Sequence, residues 1–350
     1  MAIRLISNSK MSLVSNVLFI TLMCSSFTGE FSQFQGNVQD EVDKAVDGVY
    51  DGMILHVNQA DTSVTYVAGW KDRKKQIPAD PNSLFKIASI SKLYIAAAVA
   101  KLICVDSLAL GDNLKELIPE VADKIQYADQ ITLEMLLKHR SGIPEYIFKA
   151  GFAGSDPNLD YMTTIALIYD EPADFKPNKK NKYSNTNYLI IGEILDRKLG
   201  YSHHKYIKKE ILDPLGLKNT YSLSSEVNAD DIMSGYRVDI DSDFKLIEEH
   251  TRPGGSMVAT AEDVGIFLRA LIDGTLLNAE EQEVYTSIYK YEHTGWLNGY
   301  TSIAQYHEDI DAVVVQFVNT SKGELFWARL NRDYNRMVRA VRNNMGSDSN

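Results

Sequence analysis

Ser89-Ile90-Ser91-Lys92 runs without a break into Leu93-Tyr94-Ile95-Ala96-Ala97-Ala98-Val99-Ala100-Lys101-Leu102-Ile103-Cys104. The second part is apolar on nearly every side of a helix, the mark of a helix buried in a domain core. The first part sets a hydroxyl and an amine three residues apart at the start of that helix, on one face and about a turn apart. An amine so placed can take the proton of Ser89 as its oxygen attacks a carbonyl. The positive end of the helix favours the developing alkoxide and opposes protonation of Lys92. The stretch reads as a nucleophile with its base attached.

The spacing alone is weak. It recurs at Ser7/Lys10, Ser83/Lys86, Ser202/Lys205, Ser242/Lys245 and Ser287/Lys290. Ser83 follows Pro81-Asn82, where a turn is expected. Ser202 opens a lysine-rich stretch suited to a solvated face, and Ser242 sits among charges. Only Ser89 leads into a helix apolar nearly all round.

Two further elements give the pattern weight. Tyr183-Ser184-Asn185 is the one Tyr-x-Asn in the chain, and His293-Thr294-Gly295 the one Lys/His-Thr/Ser-Gly. Their order and wide spacing suit three parts of a single active site. On these motifs the chain resembles the penicillin-recognising serine hydrolases, and within them class C β-lactamases, D-alanyl-D-alanine carboxypeptidases and related esterases. The surroundings agree: Leu136 to Pro144, Pro214 to Thr220, Pro253-Gly254-Gly255-Ser256 through Val264, and Trp296 to Ser302.

The resemblance implies an α/β (α+β) fold of the serine β-lactamase/DD-peptidase type, an antiparallel sheet flanked by helices with a helical insertion. It implies an acyl-enzyme on Ser89, with Lys92 as base and Tyr183 as the second proton-transfer group, its phenol activated by the Lys92 cation. Asn185 would bond Lys92 and a substrate amide. Thr294 would bond a substrate carboxylate or carbonyl, and Gly295 would let the substrate backbone lie against its strand. The N–H groups of Ser89 and Trp296 would form the oxyanion hole. His293 stands where many relatives carry lysine, so a permanent charge becomes one mostly absent at neutral pH. Tyr146, Trp296 and Asn298 are candidates to line the pocket. Ser256 superficially suggests a nucleophile elbow but lacks the closing glycine, and reads as part of a tight loop. A penicillin-binding or peptidoglycan-sensing module of low turnover satisfies the same motifs.

The rest of the chain bounds this reading. Arg4 and Lys10, the apolar run Leu13–Met23 and the small Ser25 and Ser26 suggest an export signal over residues 1–28, with a periplasmic or secreted destination. The run is too short and polar for a confident transmembrane span. Thr21-Leu22-Met23 before Cys24 makes a poor lipoprotein site. Cys24 and Cys104 are the only cysteines, so a mature chain keeps one thiol and no internal disulfide. A net charge of −11 argues against nucleic acid and anionic membrane as partners. A small-molecule or peptide substrate is expected instead. No metal-ligand cluster, phosphate loop or repeat is present, so neither cofactor nor metal is expected. The one histidine pair, His203-His204, is expected to decorate the surface.

Local patterns predict an acidic helix over 38–46 and strands at Met53–Val57 and Val64–Gly69, joined by turn residues 58–63. Helices are expected near Thr132–His139, Tyr161–Ile168, Asn187–Lys198 and Ala261–Ile272. Strands are expected at Met233–Asp239, Phe244–Glu248, Thr301–Tyr306 and Ala312–Val318. A closing amphipathic helix, Leu325–Val341, carries Leu330, Tyr334, Met337 and Val341 on one face. Residues 38–86 and 232–345 would make a discontinuous α/β domain, 87–231 a helical one, with the site in the crevice between them.

Overall fold

The computed structural model describes residues 38–346, apart from 48, 60–61, 153–155, 157–159, 247–249 and 324. The expected leader and Cys24 lie outside the described residues. Six strands form one antiparallel sheet: β1 (Gly52–Gln59), β2 (Thr62–Asp72), β3 (Ile77–Pro78), β4 (Glu292–Leu297), β5 (Tyr300–His307) and β6 (Ala312–Val318). Their spatial order is β3-β2-β1-β6-β5-β4. The two ends of the chain meet at its centre, where Met53 lies opposite Val318 and Asn58 opposite Val313.

β6, Ala-Val-Val-Val-Gln-Phe-Val, is buried at all seven positions because both faces of the sheet are covered. Val313, Val315 and Phe317 join the larger core. That core contains the nucleophile helix α2 (Ser91–Cys104), α3 (Asn185–Leu199), α4 (Ala261–Ile272) and the buried residues of the helical segment. Ala312, Val314 and Val318 join a second core beneath helix α1 (residues 38–46) and the closing helix α6 (Leu325–Gly346). Leu330, Tyr334, Met337 and Val341 are all buried there. Spacings of three and four residues put them on one side of α6.

Three expectations need correction. Only Tyr236–Arg237 of the span Met233–Asp239 is strand. Ser234 sits in loop backbone whose carbonyl accepts from the Asn319 amide at 2.8 Å. The expected strand Phe244–Glu248 is loop and turn over 244–246, with its remainder outside the described residues. The extended pairing lies earlier, at Ile240–Asp243, and the Asp243 carboxylate then accepts the Lys245 N–H to turn the chain. The histidine pair does not decorate the surface. His203 is buried, with Nδ1 2.7 Å from Asp196 Oδ1, and the two rings lie 4.1 Å apart.

Among the helices not anticipated is α5 (Ala279–Ile288), which packs on α2. Its signal was present. Asn278 accepts from the N–H of Glu280 and Glu281, while Glu281 accepts from the N–H of Asn278, a complete capping box. Among the described residues no helix is long and apolar enough to cross a membrane.

Candidate active site

The turn that carries Ser89 precedes α2 as a 3₁₀ segment, Ala88–Ile90. Ala88 has φ +51°, a left-handed conformation costly for a residue with a Cβ. The chain braces it. Ser91 Oγ donates to the Ala88 carbonyl at 2.6 Å and accepts from Met257 N–H at 3.2 Å. Ile87 N–H reaches back to the Met257 carbonyl at 3.1 Å. Ser91 is thus a brace for its neighbour, a role that the motif spacing does not reveal.

Lys92 is completely buried, and its ammonium nitrogen has three partners. Nζ lies 3.0 Å from Ser89 Oγ, 3.0 Å from Asn185 Oδ1 and 2.7 Å from the Gly254 carbonyl. Amide and peptide carbonyl oxygens only accept, so two amine protons are committed to them. The third direction faces the serine hydroxyl. It can donate to Ser89 as an ammonium or receive the serine proton as a neutral amine, without any atom moving. Gly254 is required for this contact: its φ is +79°, and a Cβ there would lie 2.9 Å from Tyr188 Cβ and 3.1 Å from Lys92 Cγ.

Ser89 Oγ also receives the Tyr183 hydroxyl at 2.7 Å. Lys92 Nζ does not bond the phenol. It lies 5.0 Å from the centre of the Tyr183 ring, so tyrosine and lysine communicate through the serine hydroxyl and the electric field. His139 backs the tyrosine, their rings 4.4 Å apart. Its Nδ1 accepts from Ser184 N–H at 3.3 Å, and burial followed by the charge of Lys92 lowers its pKa to about 3.

Asn185 is the first residue of α3, two positions earlier than the sequence pattern suggested. Glu145 Oε2 accepts from its backbone N–H at 2.6 Å and from its Nδ2 at 3.2 Å. That carboxylate turns the amide so that Oδ1 faces Lys92. The Glu145 carboxyl is itself raised above its ordinary pKa, chiefly by burial. Neither Glu145 nor the Gly254 carbonyl was singled out from sequence. Pro253-Gly254-Gly255 had counted only as surroundings, and the surroundings Leu136 to Pro144 stop one residue short of Glu145.

The third motif lies on the edge strand β4. Gly295 is buried, and a side chain there would run into Ser302 Oγ and the Ile87 carbonyl, with Ala88 Cβ 3.1 Å away. The glycine lets the strand lie against the protein's own Ser89 turn. The same contact brings the Trp296 segment to the Ser89 turn. Thr294 and Trp296 are exposed. His293 is partly covered and stacks on Tyr289 at 5.7 Å. Its Nδ1 lies 2.5 Å from the Thr294 carbonyl, which assigns the proton to Nδ1 and leaves Nε2 an acceptor. Burial, then the Lys92 charge, lowers its pKa to about 3.

The remaining candidates separate cleanly. Tyr146 is buried against Phe152 beneath the site, and Asn298 accepts from Arg237 at 3.3 Å. Ser256 is buried in the loop after Gly254-Gly255. The rival pair Ser83/Lys86 does not assemble: Lys86 Nζ donates to the Lys245 carbonyl at 2.7 Å. Among the described residues no group of three or more His, Cys, Asp or Glu could hold a metal ion.

Comparison with known proteins places this geometry. In sequence, 191 residues are 29% identical to Protein flp of Staphylococcus aureus (strain N315), covering 52% of this chain and 38% of that one. A putative D-alanyl-D-alanine carboxypeptidase of Salmonella paratyphi A is 27% identical over 242 residues, covering 60% and 55%. The chain thus spans between about a third and a half of these relatives' length. In structure, it resembles the D-amino acid amidase of Ochrobactrum anthropi SV3 complexed with D-phenylalanine, with TM-score 0.79 and 21% identity over 89% of this chain and 99% of that one. EstCE1, a hydrolase with promiscuous acyltransferase activity, gives 0.72 and 17% over 89% and 98%. These likenesses establish a shared fold. The family model described as Beta-lactamase matches residues 34–335, and the chain belongs to that family.

Proposed function

We propose that the protein is a serine hydrolase that opens amide, ester or lactam carbonyls through an acyl-enzyme on Ser89. The observation that carries this is the position of Ser89 Oγ, 3.0 Å from Lys92 Nζ and 2.7 Å from Tyr183 OH. In acylation the Ser89 oxygen attacks the carbonyl carbon as its proton passes to Lys92. The carbonyl oxygen becomes an oxyanion held by the N–H groups of Ser89 and Trp296. Collapse of this intermediate breaks the bond to the leaving group, which takes a proton from Tyr183 and leaves its phenolate beside the Lys92 cation. Water then attacks the ester, giving one proton back through the same groups and releasing the acid and free Ser89.

His293 narrows the substrate. With its pKa near 3 it is neutral at ordinary pH and offers an acceptor nitrogen. It cannot supply the cation that a substrate carboxylate would seek at this position. Small esters and amides lacking a carboxylate beside the reacting carbonyl should therefore be better substrates than carboxylate-bearing lactams.

Ser89→Ala tests the assignment. The variant should lose p-nitrophenyl acetate turnover and covalent labelling by a fluorophosphonate together. Retention of both sinks it. In the wild type, a burst of one equivalent without steady release would replace hydrolysis by a slow acylating sensor.

A further inference from the structure

A groove of about 610 Å³ opens beside the site, lined by Tyr183 and His293 together with Lys138, Arg140, Asn181 and Lys290. The chain leading to Asn181 is Lys176-Pro177-Asn178-Lys179-Lys180. It is fastened along the segment that carries Lys138 and Arg140. Asn178 N–H donates to the Arg140 carbonyl at 2.9 Å, Lys182 N–H to the His139 carbonyl at 2.9 Å, and Asn181 Nδ2 to the Lys138 carbonyl at 2.7 Å. Lys138, Arg140 and Lys290 line the groove itself, and the fastening holds Lys176, Lys179, Lys180 and Lys182 on the rim segment alongside it.

Acids answer three of these cations. Lys138 pairs with Glu134 at 2.5 Å, Lys182 with Asp174 at 2.7 Å, and Lys290 with Glu292 at 3.7 Å. Arg140 is spent on Asn178, with Nε 2.6 Å from its Oδ1 and Nη2 2.6 Å from its carbonyl. Lys176, Lys179 and Lys180 are exposed, and among the described residues no carboxylate lies within ion-pair distance of them. A surplus of about four positive charges thus stands at the mouth of the site in a chain whose net charge is −11. Charge of one sign along a cleft raises the local concentration of the opposite charge and speeds its encounter.

We propose that this rim is a subsite for the acidic part of a peptide substrate: two or more carboxylates on the Tyr183 side of the scissile bond, remote from the reacting carbonyl. The proposal rests on the hydrolase reading for its catalytic consequence. It agrees with the neutral His293, because the carboxylates are received on the rim and not beside the carbonyl.

Two ester probes identical at the reacting carbonyl test it, one ending in Glu-Glu and the other in Gln-Gln. At about 20 mM salt the wild type should prefer the acidic probe in kcat/KM by about tenfold. At about 0.5 M the ratio should fall toward one, since screening then acts within a few ångströms. Lys179→Glu with Lys180→Glu should bring the low-salt ratio to one or below. The same charge change at Lys44 and Lys209, on elements that line no part of the groove, should leave it near ten. A ratio of one in the wild type at low salt, or a preference that survives the rim reversal, overturns the proposal. Binding of a rhodamine-labelled Glu-Glu peptide to Ser89→Ala, followed by anisotropy, separates the two ideas. Salt-sensitive binding lost on rim reversal upholds the subsite even where turnover fails and the hydrolase reading falls. Binding no tighter than that of the Gln-Gln peptide refutes the subsite even where hydrolysis is fast.

Discussion

The two faces of the six-stranded sheet are built for different ends. On the face that carries the site, a fully buried lysine is held by acceptors from three separate segments: Ser89, Asn185 and Gly254. On the far face, α1 and α6 cover an almost wholly apolar layer of Val, Leu, Met and Tyr. Burying an ammonium costs several kcal/mol, which its contacts only partly offset, whereas burying aliphatic side chains stabilises outright. One face gives up stability to fix a geometry, and the other supplies stability with little demand on geometry. Damage to the two faces should therefore read out in different measurements.

Lys92→Met is the largest expected effect. The variant should fold, with a urea midpoint close to that of the wild type, and lose about 10³-fold in kcat. Turnover within tenfold of wild type would mean that Lys92 is not the base. Leu330→Ala is the converse. It should cost about 2–5 kcal/mol in urea unfolding while leaving kcat/KM unchanged under folding conditions. A matching loss of activity would show that the far face shapes the site after all.

His293→Lys comes next. It should raise kcat/KM for carboxylate-bearing lactams by about tenfold and leave neutral esters nearly untouched. A histidine of ordinary pKa would give a gain that grows with pH as it loses its proton. With the His293 pKa near 3 it has already lost that proton, so the gain should be equal at pH 6 and pH 8. Linkage gives the matching stability term. The folded pKa lies below the unfolded value of about 6.5, so the stabilising contribution is complete above that pH and declines as pH falls toward 3. Parallel pH–rate profiles of the two proteins on nitrocefin check the first point, and acid unfolding curves the second.

The smallest effect sharpens the comparison from the far side. Gln316 is fully buried in β6, and both polar atoms of its side chain lack a partner among the described residues. Removing an unsatisfied amide from an apolar layer should help. Gln316→Leu should gain about 1 kcal/mol in urea unfolding with kinetics unchanged.

Much of this was readable in the sequence, for physical reasons that differ by residue. That Ser89, Lys92, Tyr183 and Asn185 come together was legible because the proposed chemistry needs particular residue types at particular spacings. The closing helix was legible because burial on one side imposes a period. What escaped acts through backbone or through another residue. The Gly254 carbonyl holds Lys92 but carries no side chain to notice, and Glu145 works only by turning Asn185. His203 was misplaced because helical-face arguments see neighbours in the chain, and its partner Asp196 comes from the preceding helix. The packing role of Gly295 escaped because the surface it must clear, Ile87 and Ala88, lies some two hundred residues earlier in the chain.

The meeting of the two chain ends at the middle of the sheet also governs how the molecule is made. β1 needs both its neighbours, and one of them, β6, is synthesised long after it. Until then β1 keeps an unpaired edge, and the nucleophile turn lacks the β4 backbone that packs against it. Helices close in sequence can form at once, but pairing across such a separation is slow and leaves strand edges open to wrong partners. The site is thus incomplete until β4 and β6 are made, and the most vulnerable period of the nascent chain is the wait for them.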